Sequence, residues 1–255
     1  MKKIGIIGGL AWPSTADYYR LICKLANEHF RQLGQSPPFA TPQIVIESLN
    51  IFETRSARGV DGDEASWKNY DTIFQNAFNR LQQAGADFGL IASNTPHTRL
   101  HAISRGLELP VISILETTAK TVVSQGGKNA LVLGTPLTMR SSMYPEVLAQ
   151  HQISALAQIE ASEIEELNHL IDVDLYQGKI KDARKRILEI SKKYTDNSTK
   201  DIVCLACTEL PLAFPEHADA AYFEVENIGF VNTIAAHVNA TVNESLRVKE
   251  QGAST

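Results

Sequence analysis

Two stretches of this chain, DFGLIASNT at 87–95 and DIVCLACTE at 201–209, are near copies of one another. Asp87 lies over Asp201, Leu90 over Cys204, Ile91 over Leu205, Ala92 over Ala206 and Asn94 over Thr208, and the conspicuous mismatch is Ser93 against Cys207. An unbroken aliphatic run without polar alternation is a strand buried on both faces, and such strands belong to parallel sheets covered by helices. Two further runs, KKIGIIGG at 2–9 and KNALVLGT at 128–135, end in glycine turns, and each precedes one copy by a similar distance. The pattern predicts two α/β halves related by a pseudo-twofold.

The intervening segments fit this scheme. Ser14 or Thr15 is placed to cap a helix carrying Tyr18, Leu21, Ile22 and Leu25 at helical spacing, with Gly34 as its stop. Strands are expected at 43–49, 88–92, 111–115, 130–133, 153–159, 202–206 and 222–225. Helices are expected at 63–84, 96–106, 116–125, 162–176, 179–194 and 227–246, with a frayed tail over 247–255. The fold class that follows is α/β, as two pseudo-symmetric doubly wound parallel-sheet domains with the active site in the cleft between them. The expected domains are 1–115 together with 209–255, completed by the C-terminal helix, and 116–208.

With 255 residues, 44% hydrophobic and 21% charged, the chain has the composition of a globular protein with a sizeable core. A net charge of −5 offers no electrostatic reason to bind nucleic acid or an anionic membrane surface, and no apolar run is long enough to span a bilayer. The opening MKKIGIIGGLAW has lysines followed by aliphatics. Its apolar stretch is short and broken by glycine, and Trp12-Pro13 stands where a leader would have small residues, so it reads as a first buried strand. Three cysteines, Cys23, Cys204 and Cys207, are too few for a disulfide framework and suit a reducing cytoplasm. The turn Gly5-x-x-Gly8-Gly9 does not match the dinucleotide-binding fingerprint, and no phosphate-loop lysine follows it.

Chemistry concentrates at the repeat. In open parallel sheets, ligands sit beyond the carboxyl ends of the strands, where Ser93 and Cys207 both fall. Equivalent groups on either side of one carbon can remove a proton from one face and return one to the other. Cys207 is the stronger candidate, since a thiol titrating near about 8.5 becomes a competent base when dipoles stabilise its thiolate. Thr208, Glu209 and Leu210 are expected to begin a helix whose N–H groups supply that field. Cys204 completes a C-x-x-C with Cys207, but it matches Leu90 in the other copy and reads as core; no second ligand pair for a metal is present. Ser93 is the weaker group and needs a neighbouring base. His97 in SNTPH is within reach if the turn brings it round, although a direct role is the less favoured reading, and His101 reads as packing or surface. Asn94 and Thr95 fall at a first helical turn, where amide N–H groups bind carboxylates.

In KKIGIIGGLAWPSTADYY, ASNTPH, ALVLGTPLTMRSSMY and CLACTEL, in that order along most of the chain, the sequence resembles the aspartate/glutamate racemases, the cofactor-independent amino-acid racemases. The resemblance implies two α/β domains with the active site between them, a homodimer, no cofactor, and two cysteine bases. The second base falls on Cys207 and the first on Ser93. It further implies that Asn94, Thr95, Thr135 and Thr208 surround the substrate's α-carboxylate and ammonium, and that a cleft loop includes Trp12. Three departures stand out. Serine replaces the first cysteine. Val225-Glu226-Asn227 stands where members usually carry an Asp-Ser or Asp-Thr pair. Glu166 falls where members with acidic substrates place a lysine, unless Glu163, Glu165 and Glu166 are simply a solvated helix face. The expected function is therefore an asymmetric amino-acid racemase in the cytoplasm, acting on a small amino acid or carboxylate. The alternatives are a one-cysteine decarboxylase or isomerase of small dicarboxylic acids, and a non-catalytic carboxylate binder.

Overall fold

A computed structural model describes residues 1–60, 62–175, 177–196 and 199–247. The chain divides into two compact units. One comprises Met1–Ala92, Arg99–Ile112 and the stretch from Val238 onward; the other comprises Ser93–Thr98 and Ser113–His237.

The first unit is built from β1 (Ile4–Gly8), α1 (Trp12–Gln32), β2 (Ile44–Ser48), α2 (Ile51–Ser56), α3 (Lys68–Gln83), β3 (Phe88–Ile91) and α4 (Leu100–Ile103). Its sheet is parallel, in the order β2-β1-β3. Every residue of β1 is buried, as its aliphatic run requires. Gly5 lets α3 close on the strand, since a Cβ there would lie 3.0 Å from a Leu81 methyl. The cap expected from Ser14 or Thr15 is not made. Ala11 occupies the N-cap, and the Thr15 hydroxyl accepts from the N–H of Gly9 instead, 2.9 Å away. Gly9 has φ +80°, and any side chain there would collide with the Leu49 backbone. The strand expected at 111–115 reduces to one parallel bridge between Gly89 and Val111, because Ser113 already caps the next helix.

The second unit contains α5 (Ile114–Ser124), β4 (Asn129–Gly134), α6 (Pro136–Arg140), α7 (Met143–Gln150), β5 (Ser154–Ala155), α8 (Ala161–His169), α9 (Ile180–Tyr194), β6 (Asp201–Ala206), β7 (Tyr222–Val225), β8 (Ile228–Asn232) and the start of α10 (Thr233–Leu246). Its sheet runs β5-β4-β6-β8-β7, parallel except for β7. Successive residues of β6 enter opposite cores: Val203 and Leu205 on one side, Ile202 and Cys204 on the other. Cys204 is fully buried there, and burial pushes its thiol up to about 12.

The repeat seen in sequence recurs as topology, with the order β2-β1-β3 reappearing as β5-β4-β6. The acids that head the two copies do matching work. Asp87 accepts from the N–H of Lys3, just ahead of β1, at 2.6 Å, and Asp201 accepts from the Asn129 amide at the head of β4 at 2.7 Å.

Several boundaries depart from expectation. β8 pairs with β6, so residues 209–237 stay with the second unit and do not return to the first at 209. The segment Ser93–Thr98 also groups with the second unit, although β3 precedes it. The helix expected from 227 begins at Thr233. Glu226 and Asn227 have φ of 52° and 64°, which makes a tight turn of the kind that closes β-hairpins, and Ile228–Asn232 is spent as β8. Residues 153–159 pair only over Ser154–Ala155. α8 passes into a π-helical turn at Leu170–Asp174, and Tyr176 of the expected helix lies outside the described residues, as does the tail at 248–255. Among the described residues no helix is long and apolar enough to cross a membrane.

Candidate active site

The second unit carries a row of strand ends with chemical content. β4 ends at Gly134 and delivers Thr135, β6 ends at Ala206 and delivers Cys207, and β8 ends at Asn232 and delivers Thr233. These three parallel strands are neighbours in the order β4-β6-β8, so the three side chains start from adjacent carboxyl termini of one sheet.

The segment Ser93–Thr98 is fastened to this row by buried hydrogen bonds. The Tyr144 hydroxyl donates to Asn94 Oδ1 at 2.7 Å, and the Asn94 amide donates to Thr233 Oγ1 at 3.2 Å. The Thr233 hydroxyl in turn donates to the Leu205 carbonyl at 2.9 Å, two residues ahead of Cys207. Burial raises the Tyr144 phenol far above its ordinary range, so it remains a donor. Beside this chain, three hydroxyls cluster: Thr95 lies 3.3 Å from Thr135 and 3.4 Å from Thr138, and Thr135 lies 3.0 Å from Thr138. Replacing Tyr144 with phenylalanine leaves the buried Asn94 oxygen without its donor. This should cost about 1–3 kcal/mol, which thermal unfolding would register as a fall in Tm of several degrees.

His97 closes the segment. Its Nε2 accepts from the Ile114 N–H at 3.3 Å, which leaves Nδ1 as the donor to the Ser93 carbonyl at 2.8 Å. Burial, with a smaller contribution from His237, lowers its pKa to about 3. Both ring nitrogens are occupied and the ring stays neutral, so His97 is no base for the Ser93 hydroxyl. It holds the Ser93 backbone in place.

Cys207 sits at the end of β6 with 6% of its surface exposed. The expected helix start after it is only a short 3-10 turn, Leu210–Ala213, and the thiol is not stabilised as a thiolate. The thiol donates to Glu209 Oε2 at 2.9 Å, and the Thr208 hydroxyl donates to the same oxygen at 2.8 Å. Desolvation, and then the Glu209 charge, hold the thiol well above its ordinary pKa, with Asp172 of the π-helical turn adding to the effect. Glu209 was not singled out in the sequence, where residues 208–210 counted only as a source of N–H groups. The spacing Cys-x-Glu just past a strand was the available signal.

Glu166 lies on α8, and Arg186 grips its carboxylate with Nε and Nη2, both at 2.8 Å. Its neighbours are not a uniformly solvated face: Glu163 is buried and bonded to Lys193 and Tyr194, and Glu165 pairs with Arg140. Trp12 belongs to the first unit, at the start of α1, and is 76% exposed. Asn94 and Thr95 are buried, while Ser93, Thr135 and Thr208 are partly exposed. Among the described residues no group of three or more His, Cys, Asp or Glu is arranged to hold a metal ion.

The described architecture is a parallel α/β sheet arrangement repeated within one chain, with a thiol and hydroxyls at its strand ends. Residues 7–241 match the Asp/Glu/hydantoin racemase family, and the chain belongs to that family. It is an isomerase of the racemase type. It is 28% identical over 216 residues to the broad-specificity amino-acid racemase RacX of Bacillus subtilis (strain 168), covering 81% of this chain and 85% of that one. Among solved structures, it resembles an aspartate racemase homologue from Pyrococcus horikoshii OT3 with a TM-score of 0.77 and 27% identity, covering 97% of this chain and all of the other. A putative Asp/Glu racemase from Yersinia pestis gives a TM-score of 0.79 and 25% identity, with 97% of this chain and 100% of that chain covered.

Proposed function

We propose that this protein is a cofactor-independent amino-acid racemase in which Cys207 serves one face of the substrate Cα and Ser93 the other. The observation that carries this reading is the repeat itself: the two side chains occupy the same position in equivalent segments, and the Ser93 segment is bonded through Asn94 and Thr233 to the strand that ends at Cys207. Thr135 presents its hydroxyl to the substrate's α-carboxylate and Thr208 its oxygen to the ammonium, with Asn94 and Thr95 beside them. Such donors stabilise the charge that develops when the Cα–H bond breaks and its electron pair moves toward the carboxylate. Trp12, exposed at the start of α1, is a further candidate for contact with the substrate. Glu166 is assigned to its ion pair with Arg186 and not to the substrate. A homodimer acting in the cytoplasm on a free amino acid completes the proposal.

Incubating L- and D-amino acids separately in D₂O tests it, read by mass spectrometry and chiral chromatography. The expected result is deuterium at Cα accompanied by the opposite enantiomer for at least one amino acid. Absence of exchange from every common amino acid would sink the reading.

A further inference from the structure

Cys207 poses a problem that the racemase reading leaves open. A thiol that holds its proton cannot accept another, and this one is buried beside a carboxylate that discourages the thiolate. Among the described residues the same carboxylate is the thiol's only hydrogen-bond acceptor, 2.9 Å from the sulphur. We propose, building on that reading, that Glu209 is the terminal acceptor of a two-proton relay through Cys207. As the Cα–H bond breaks, its proton bonds to Sγ, the original S–H bond breaks, and that proton bonds to Glu209 Oε2. The electron pair from the C–H bond stays with the substrate and is spread into its carboxylate. Sulphur never carries a full charge, and no other reactant is required. Reversal of the same steps delivers a proton to Cα from this face.

The geometry accounts for further details. The Thr208 hydroxyl donates to the same Oε2 at 2.8 Å, which fixes the oxygen on the sulphur side. The charged groups acting on the thiol are Glu209 from its own segment and Asp172 from the packed π-helical turn. Of these, only Glu209 is bonded to it. The fully buried neighbours Leu205 and Leu210 keep bulk water from this side.

Glu209→Gln separates a relay from mere repulsion because the two predict opposite changes in turnover. Alkylation of Cys207 by iodoacetamide, followed at the peptide level across pH without substrate, reports thiolate formation. In Glu209→Gln the alkylation midpoint should fall, since a repelling charge is gone. Turnover should nevertheless drop roughly 10²-fold. Turnover that rises with the thiolate fraction, or stays unchanged, overturns the relay. Glu209→Asp keeps the carboxylate on a shorter arm and should turn over more slowly than wild type but faster than the glutamine variant; turnover above wild type overturns the relay even if the glutamine variant does not fold. Wild-type enzyme with no exchange at Cα overturns the racemase reading itself, a result separate from either variant's behaviour.

Discussion

Replacing Cys207 with alanine is expected to lower turnover by up to about 10⁴-fold and to abolish deuterium exchange for the enantiomer whose Cα–H faces the sulphur. The argument rests on position. Cys207 ends the strand at the centre of its sheet, is bonded to the carboxylate best placed to take its proton, and has no equivalent among the hydroxyls around it. The substitution removes one sulphur from a tightly packed site, so Tm should move only a few degrees while exchange collapses. Retained exchange in both directions would remove the thiol from the mechanism.

The second large effect is a gain. Ser93→Cys should raise turnover roughly 10²-fold, since a thiol is a far better proton acceptor than an unassisted hydroxyl. His97 gives that hydroxyl no help, because both of its ring nitrogens are occupied by the Ile114 N–H and the Ser93 carbonyl. The asymmetry of the natural site has a particular signature. Enantiomers have equal free energies in water, so kcat/KM must be the same in both directions whatever bases are used. The inequality of the two faces must therefore show in kcat and KM taken separately, and in how much label is washed into recovered substrate compared with product. Ser93→Cys should make these measures more alike for the two enantiomers. A variant no faster than wild type would mean that deprotonation at this face is not the limiting step.

Much of the scaffold was legible because buried parallel strands advertise themselves. IGIIG, FGLI, NALVLG and DIVCLA are unbroken apolar runs, and each forms a strand where it was expected. The same logic failed at Ile228–Asn232. There the strand passes directly into the equally apolar TIAAHV of α10, and periodicity alone cannot divide strand from helix. The signal that could have done so was Asn227, a residue tolerant of positive φ, beside a polar Glu226 between apolar runs. At the site, positions were readable and partners were not. Thr95 lies forty residues from Thr135 and 43 from Thr138 yet meets them in one hydroxyl cluster, and the Tyr144 bond to Asn94 spans fifty residues. For Glu209 the Cys-x-Glu spacing is readable, and only the rotamer that turns its carboxylate to the sulphur is not.

The attachment of Ser93–Thr98 to the second unit has a consequence for any attempt to dissect the chain. That unit is not one continuous stretch of polypeptide, so a fragment restricted to 113–237 lacks the six residues that engage its hydroxyl row. Thr135, Thr138, Tyr144 and Thr233 would lose the bonds they make to Asn94 and Thr95. Any excised version of this unit must therefore carry 93–98 as a grafted segment if its polar row is to keep those partners.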